Sequence, residues 1–214
     1  GPARRAGGGR GPARPVRVTG PVVRAAGDRA VLADFGDGAA ARVRGLDRAL
    51  AARPFPGFVE AVPGEVSLMV VFDPLATDHA GAEAALRALL AVPAPPDPAP
   101  RLHEVAVRYD GPDLPALAEA AGLTVEGAIA AHLAGDYRVA MYGFAPGTAY
   151  LSGLLPALRQ PRRPAARRRV PAGSVIVAGA QCIVLPLTMP TGWHVIGTST
   201  LRVLTDDPAR PVLF

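Results

Sequence analysis

Lysine and asparagine are absent from this chain of 214 residues, so each of its 23 basic side chains is an arginine. Without lysine there is no Walker-type phosphate loop, no Schiff-base nucleophile and no biotinylation site. If ATP or biotin chemistry is involved, a partner subunit is expected to supply it, and no cofactor is expected on this chain. Cysteine occurs once, as Cys182. That excludes an intramolecular disulfide and a multi-cysteine zinc site, and points to a reducing cytoplasm. The four histidines, His79, His103, His132 and His194, show no metal-ligand spacing, so no metal is expected. Apolar runs such as Val66 to Phe72 and Val175 to Ala178 are far too short to span a bilayer. The Arg- and Gly-rich N-terminus has no apolar segment behind it, which argues against a secretory signal.

What is abundant is arginine, unevenly placed. Against 18 acids the chain carries a formal charge of +5 and a pI near 10.3. Residues 1–14 hold four arginines and residues 159–169 hold six, with no acid in either stretch. The remaining 13 arginines face 18 acids, so the rest of the chain is net −5. Nucleic-acid binders spread positive charge over a folded face and interleave aromatics, so DNA or RNA is not the expected partner. Half of the residues are hydrophobic (50%), which excludes global disorder.

Along the chain, residues 1–15 are low-complexity Arg, Gly, Pro and Ala and are expected to be a disordered tail. A first α/β domain is expected over 16–92. Strands are predicted at Arg29 to Phe35, Phe58 to Val62 and Val66 to Phe72, with helices at Ala39 to Arg53 and Asp78 to Leu90, Asp78 serving as N-cap. The order β-α-β-β-α, completed by one more strand, predicts a split βαβ sandwich of ferredoxin-like type. Five prolines in Ala91 to Pro100 predict a stiff linker over 93–102. Beyond it, over 103–214, come a strand at Glu104 to Tyr109, helices at Asp113 to Ala121 and Thr124 to Ala134, and a strand at Tyr137 to Phe144. Short β-runs then alternate with Gly and Pro (Ser174 to Ala178, Cys182 to Leu185, Trp193 to Ile196, Leu201 to Leu204), the pattern of a β-barrel. The fold class is thus α+β.

The densest signal is Tyr142-Gly143-Phe144-Ala145-Pro146-Gly147-Thr148-Ala149-Tyr150-Leu151, a rigid turn that presents rings. An arginine loop follows, from Pro161-Arg162-Arg163 through Arg167-Arg168-Arg169. Then come Val170-Pro171-Ala172-Gly173-Ser174-Val175, Ala178-Gly179-Ala180-Gln181 and Pro190-Thr191-Gly192-Trp193-His194-Val195-Ile196-Gly197. In order and spacing these blocks resemble the 5-oxoprolinase B subunit family, also called KipI or allophanate hydrolase subunit 1. That family reads roughly GFxPGFxYL, PRRxxPRxxVPAGSVxIAGxQTGxYP and PGGWxxIGRT. The chain departs from it at Thr148, Ala149, Cys182-Ile183, Leu185, Thr191 and Thr198.

The resemblance implies an N-terminal α/β domain, a C-terminal cyclophilin-like barrel, and pairing with a KipA-like C subunit, the A subunit being a further partner. Three readings stay open. The first is a non-autonomous subunit for ATP-dependent opening of 5-oxoproline to glutamate. The others are a diverged homologue recruited to other chemistry or catalytically silent, and a module that inhibits a histidine kinase. Candidate binding residues are His132, Phe144, Pro146, Gly147, Tyr150, Arg162, Arg163, Arg169, Ser174, Gln181, Gly192 and Trp193; no catalytic base or nucleophile is assigned. Arg162, Arg163 and Arg169 are matched to the motif arginines, with Arg167 and Arg168 as bystanders. They are expected to rim a pocket formed by Phe144, Tyr150, Gln181 and Trp193 and to receive an anionic or cyclic-amide ligand, since guanidinium forks suit carboxylates. The plainer readings are a solvated charge run, a Ser174 that bonds backbone in a turn, a Cys182 that only packs, and a His132 whose charge suits a helix C-terminus.

Overall fold

A computed structural model describes residues 20–37, 39–209 and 211–212; the tail expected over 1–15 lies outside them. Gly27, at φ +76°, turns the chain between β1 (Val22–Ala25) and β2 (Ala30–Asp34), which pair antiparallel. Helix α1 (Ala40–Ala52) then crosses to β3 (Phe58–Pro63), and β4 (Ser67–Phe72) returns between β2 and β3. The sheet order is β1-β2-β4-β3, every pair antiparallel. The fourth strand therefore comes from the N-terminal side, not after the second helix as the sequence order suggests. Val22–Ala25 is short and mostly exposed, so it carries little hydrophobic signal of its own.

Helix α2 (His79–Leu90) begins where expected: the Asp78 carboxylate accepts the Gly81 N–H at 2.8 Å. Val43, Leu46 and Leu50 of α1 and Leu86 of α2 pack on Val31, Leu68, Val70 and Phe72 of the sheet. Each such side chain contributes about 1.5–3 kcal/mol when fully buried. The proline-rich stretch is without strand or helix, and Arg48 of α1 donates to Pro95 O at 3.1 and 3.2 Å and pairs with Asp97.

The C-terminal half opens with helices α3 (Leu114–Ala120) and α4 (Val125–Leu133), the second capped by Thr124 Oγ1 on the Gly127 N–H. A five-stranded antiparallel sheet follows, in the order β11-β8-β9-β6-β5. Its strands are β5 (Arg138–Tyr142), β6 (Ala149–Ser152), β8 (Ser174–Ala178), β9 (Gln181–Val184) and β11 (His194–Thr198). Apart from it, β7 (Arg167–Val170) and β10 (Met189–Thr191) form a two-stranded ribbon.

All five residues of β8 are buried, and their alternation feeds two cores. Val175 and Val177 join Cys182, Val184 and Ile196 against Leu114, Leu117 and Ala128 of the helices. Ile176 and Ala178 join Ile183, Leu185, Val195 and Trp193 under Val170 and Met189 of the ribbon.

Three sequence expectations need correction. Glu104 to Tyr109 is not a strand: beside the irregular β11, whose register shifts between Val195 and Gly197, only Arg108 makes a bridge, to Thr198. Leu201 to Leu204 likewise supplies one bridge, Leu204 to Val212. The arginine loop ends as a strand, since Arg167–Val170 pairs with β10. No single helix among the described residues is long and apolar enough to cross a membrane.

Candidate functional site

The β5–β6 hairpin carries the densest motif, and its backbone is strained. Phe144 has φ +69°, the one non-glycine residue at positive φ among those described. The Ala145 N–H donates back to Gly143 O at 2.9 Å, closing a three-residue γ-turn of the rarer hand around Phe144. Such conformations cost on the order of 1–3 kcal/mol and persist only where surrounding contacts enforce them. Here Gly143 N–H donates to Thr148 O and Thr148 N–H to Ala145 O. Gly147 is itself at φ +75°, a backbone conformation that other residues rarely adopt, and a Cβ there would crowd Leu204 Cδ2 at 2.9 Å. Nothing gained by burying the ring offsets the strain, because Phe144 is 77% exposed, beside a half-exposed Tyr142 and an exposed Pro146. Thr148, which stands where the family has phenylalanine, is 1% exposed, and its hydroxyl has no hydrogen-bond partner among the described residues.

Ala145 and Tyr150 lead from this turn to Trp193, whose ring meets the edge of Tyr150 at 6.0 Å. The Arg162 guanidinium lies over Trp193 at 5.8 Å from the ring centre. Arg162 and Arg169 are exposed, and neither makes an ion pair among the described residues.

Arg163 and Arg167 behave differently, because an acid remote in sequence pairs with both. Asp113, 3% exposed, accepts Arg163 Nη1 and Arg167 Nη2 on Oδ1 and the Val195 N–H on Oδ2 at 2.9 Å. Burial alone would push its carboxyl up. The Arg167 hydrogen bond, the Val195 N–H and the two guanidinium charges outweigh that and hold it below the usual carboxylate range. The arginine stretch is thus not uncompensated. Nor is Arg167 a bystander: counted from Pro161, the pattern PRRxxPR puts its third arginine at Arg167 and not at Arg169. Asp113 opens α3 yet makes no side-chain cap bond, so its carboxylate is free for this task. Sequence reasoning missed it because a helix-opening aspartate signals a cap, and the 50 residues to Arg163 carry no spacing rule.

His132 sits at the end of α4, but it is 6% exposed and neutral. Burial drives its pKa down to about 4, so the expected charge at the helix C-terminus is not there. Its Nδ1 bonds the Tyr109 hydroxyl at 2.8 Å, its Nε2 meets Cys182 Sγ at 3.6 Å, and the Tyr137 ring lies 5.0 Å away. A cysteine–histidine pair is therefore present in space. Burial pushes the thiol up to about 12, however, so it stays protonated and packs.

The other candidates are dispersed. Gln181 Nε2 donates to Glu65 of the N-terminal half at 2.8 Å, Ser174 is buried at the start of β8, and Gly192 O accepts the Arg163 N–H at 2.7 Å. Two surface grooves, of about 650 and 530 Å³, are lined by other residues, around Leu46 and Leu89 and around Arg108 and Ser199.

The carboxyltransferase domain, subdomain C and D, matches residues 21–214. The 5-oxoprolinase B subunit of Bacillus subtilis (strain 168) is 33% identical over 207 residues, 87% of this chain and 85% of its own. That of Escherichia coli O157:H7 is 37% identical over 166 residues, 74% of either chain. The crystal structure of TTHA0988 matches at a TM-score of 0.76 and 39% identity over 87% of this chain, which spans only 38% of that one. The K. lactis urea amidolyase shares the fold alone, at a TM-score of 0.68 and 16% identity over 90% of this chain and 14% of its own. The chain belongs to the 5-oxoprolinase B subunit family, built on the carboxyltransferase domain, subdomain C and D.

Proposed function

We propose that this chain is the B subunit of an ATP-dependent 5-oxoprolinase, in which water opens the cyclic amide of 5-oxoproline to give glutamate. The observation that carries this reading is that relatives bearing that name match most of the chain. The chain supplies half of a site; its KipA-like partner, the C subunit, together with the A subunit, completes it in the cytoplasm and uses the ATP. The missing lysine supports the last point, since no phosphate loop can be built here. For the fold, we read the N-terminal half as a ferredoxin-like unit whose fourth strand is β1, and the C-terminal half as a cyclophilin-like barrel. The wholly buried β8, packed on both faces, supports the second assignment.

Within that reading the guanidiniums of Arg162 and Arg169, which make no ion pair among the described residues, receive the substrate carboxylate. The outward ring of Phe144 is what the partner covers, which gives the strained turn a purpose that folding alone does not. The purified chain should release no glutamate from 5-oxoproline, with or without ATP, whereas the three-subunit assembly should do so only with ATP. Turnover by the chain alone, or an assembly indifferent to 5-oxoproline, overturns the proposal.

A further inference from the structure

The five-stranded ladder ends at β11, which pairs with β8 on one side only; the ribbon β7–β10 stands outside that ladder. The other edge of β11 meets single bonds from the chain just before α3, at Arg108, Gly111 and Asp113. Asp113 spans the seam between that edge and the ribbon. Its own N–H donates to Val195 O at 3.0 Å and its Oδ2 accepts the Val195 N–H, which docks it on β11. Its Oδ1 holds Arg163 and Arg167, which belong to the ribbon and its approach. Arg163 is also tied through its backbone N–H to Gly192 O, directly before Trp193. The residue between Pro161 and Arg163 is Arg162, the one over Trp193.

We infer that Asp113 is a positioning residue: one buried carboxylate clasps the arginine ribbon to the sheet edge and so holds Arg162 over Trp193, ready for a substrate carboxylate. This rests on the reading of Arg162 as an anion receptor. The charge count agrees with it. One acid against two arginines leaves the clasp net positive, and Arg163 Nε and Arg167 Nε are buried with no partners among the described residues. A second anion near the ribbon is therefore favoured over a second cation.

The molecule supplies its own reporters. Trp193 is the single tryptophan and belongs to the core under the ribbon. Cys182 is the single cysteine and belongs to the core on the other face of the sheet. In Asp113→Asn the ribbon should shift, so Trp193 emission should change while Cys182 stays as slow to react with thiol reagents as in the wild type. In the assembled complex the same variant should raise KM for 5-oxoproline by about tenfold with little change in kcat, and Arg162→Gln should do likewise. Should Asp113→Asn fail to fold, Arg167→Gln removes one guanidinium from the clasp and carries the same measurements.

Emission and KM both at wild-type values in a folded clasp variant would overturn the inference. So would a parallel rise in Cys182 reactivity, which marks general loosening. Emission altered with KM unmoved in both the clasp variant and Arg162→Gln upholds the clasp and overturns the anion reading instead.

Discussion

Two side chains of the motif turn carry opposite costs. The Thr148 hydroxyl is buried with no partner among the described residues, and an unsatisfied buried hydroxyl costs about 1–3 kcal/mol. Thr148→Val, of nearly equal shape, should therefore raise Tm by a few degrees in a melt followed by circular dichroism; an unchanged or lower Tm would show that the hydroxyl finds a partner after all. Phe144 costs backbone strain and gains no burial. Phe144→Gly should stabilise the isolated chain by about 1 kcal/mol while weakening assembly with the KipA-like partner proposed above. Titration calorimetry against that partner reads the second effect, and affinity equal to wild type would remove the ring from the interface. His132 adds a pH dependence whose sign is fixed. Its folded pKa, about 4, lies below the ordinary 6.5, so the unfolded chain binds the extra proton between these values. Stability should fall by about 3 kcal/mol as pH drops from 6.5 to 4, and His132→Leu should flatten that slope. Equal slopes in the two proteins would rule the histidine out as the cause.

At the scale of elements, legibility follows the range of the forces involved. Helices α1 and α2 are readable because their apolar spacing and the Asp78 cap act within a few residues. Strand β8 is readable because five apolar or small residues lie between the turns at Gly173 and Gly179. Strand β7 is not, because Arg167-Arg168-Arg169 has no apolar alternation, and its pairing with β10 rests on Val170 and on an acid remote in sequence. The same remoteness hides Asp113, the residue that makes sense of the arginines. Glu104 to Tyr109 misleads in the opposite direction: its alternation is strand-like, but among the described residues it meets β11 only through the single Arg108–Thr198 bridge. Of the candidate site, the Phe144 turn and Trp193 are legible as motif, and what each arginine touches is not.

Across the whole molecule, the N-terminal and C-terminal halves are joined by a stretch that is pinned rather than free. Arg48 holds Pro95 O and Asp97, and Gln181 reaches Glu65. Arg48→Ala should speed subtilisin cleavage within 93–102 several-fold without moving the melting transition, since the contact is peripheral to either core. Cleavage at the wild-type rate would mean that proline stiffness alone protects the segment. The double burial of β8 has a consequence of another kind. Ser174–Ala178 offers no polar face, no charge and no proline, and β9 beside it is nearly as apolar. Until both cores close over it, such a segment is a template for intermolecular strand pairing. The chain's recovery from a cell should therefore depend on how quickly its two faces are covered, more than on how stable the finished fold is.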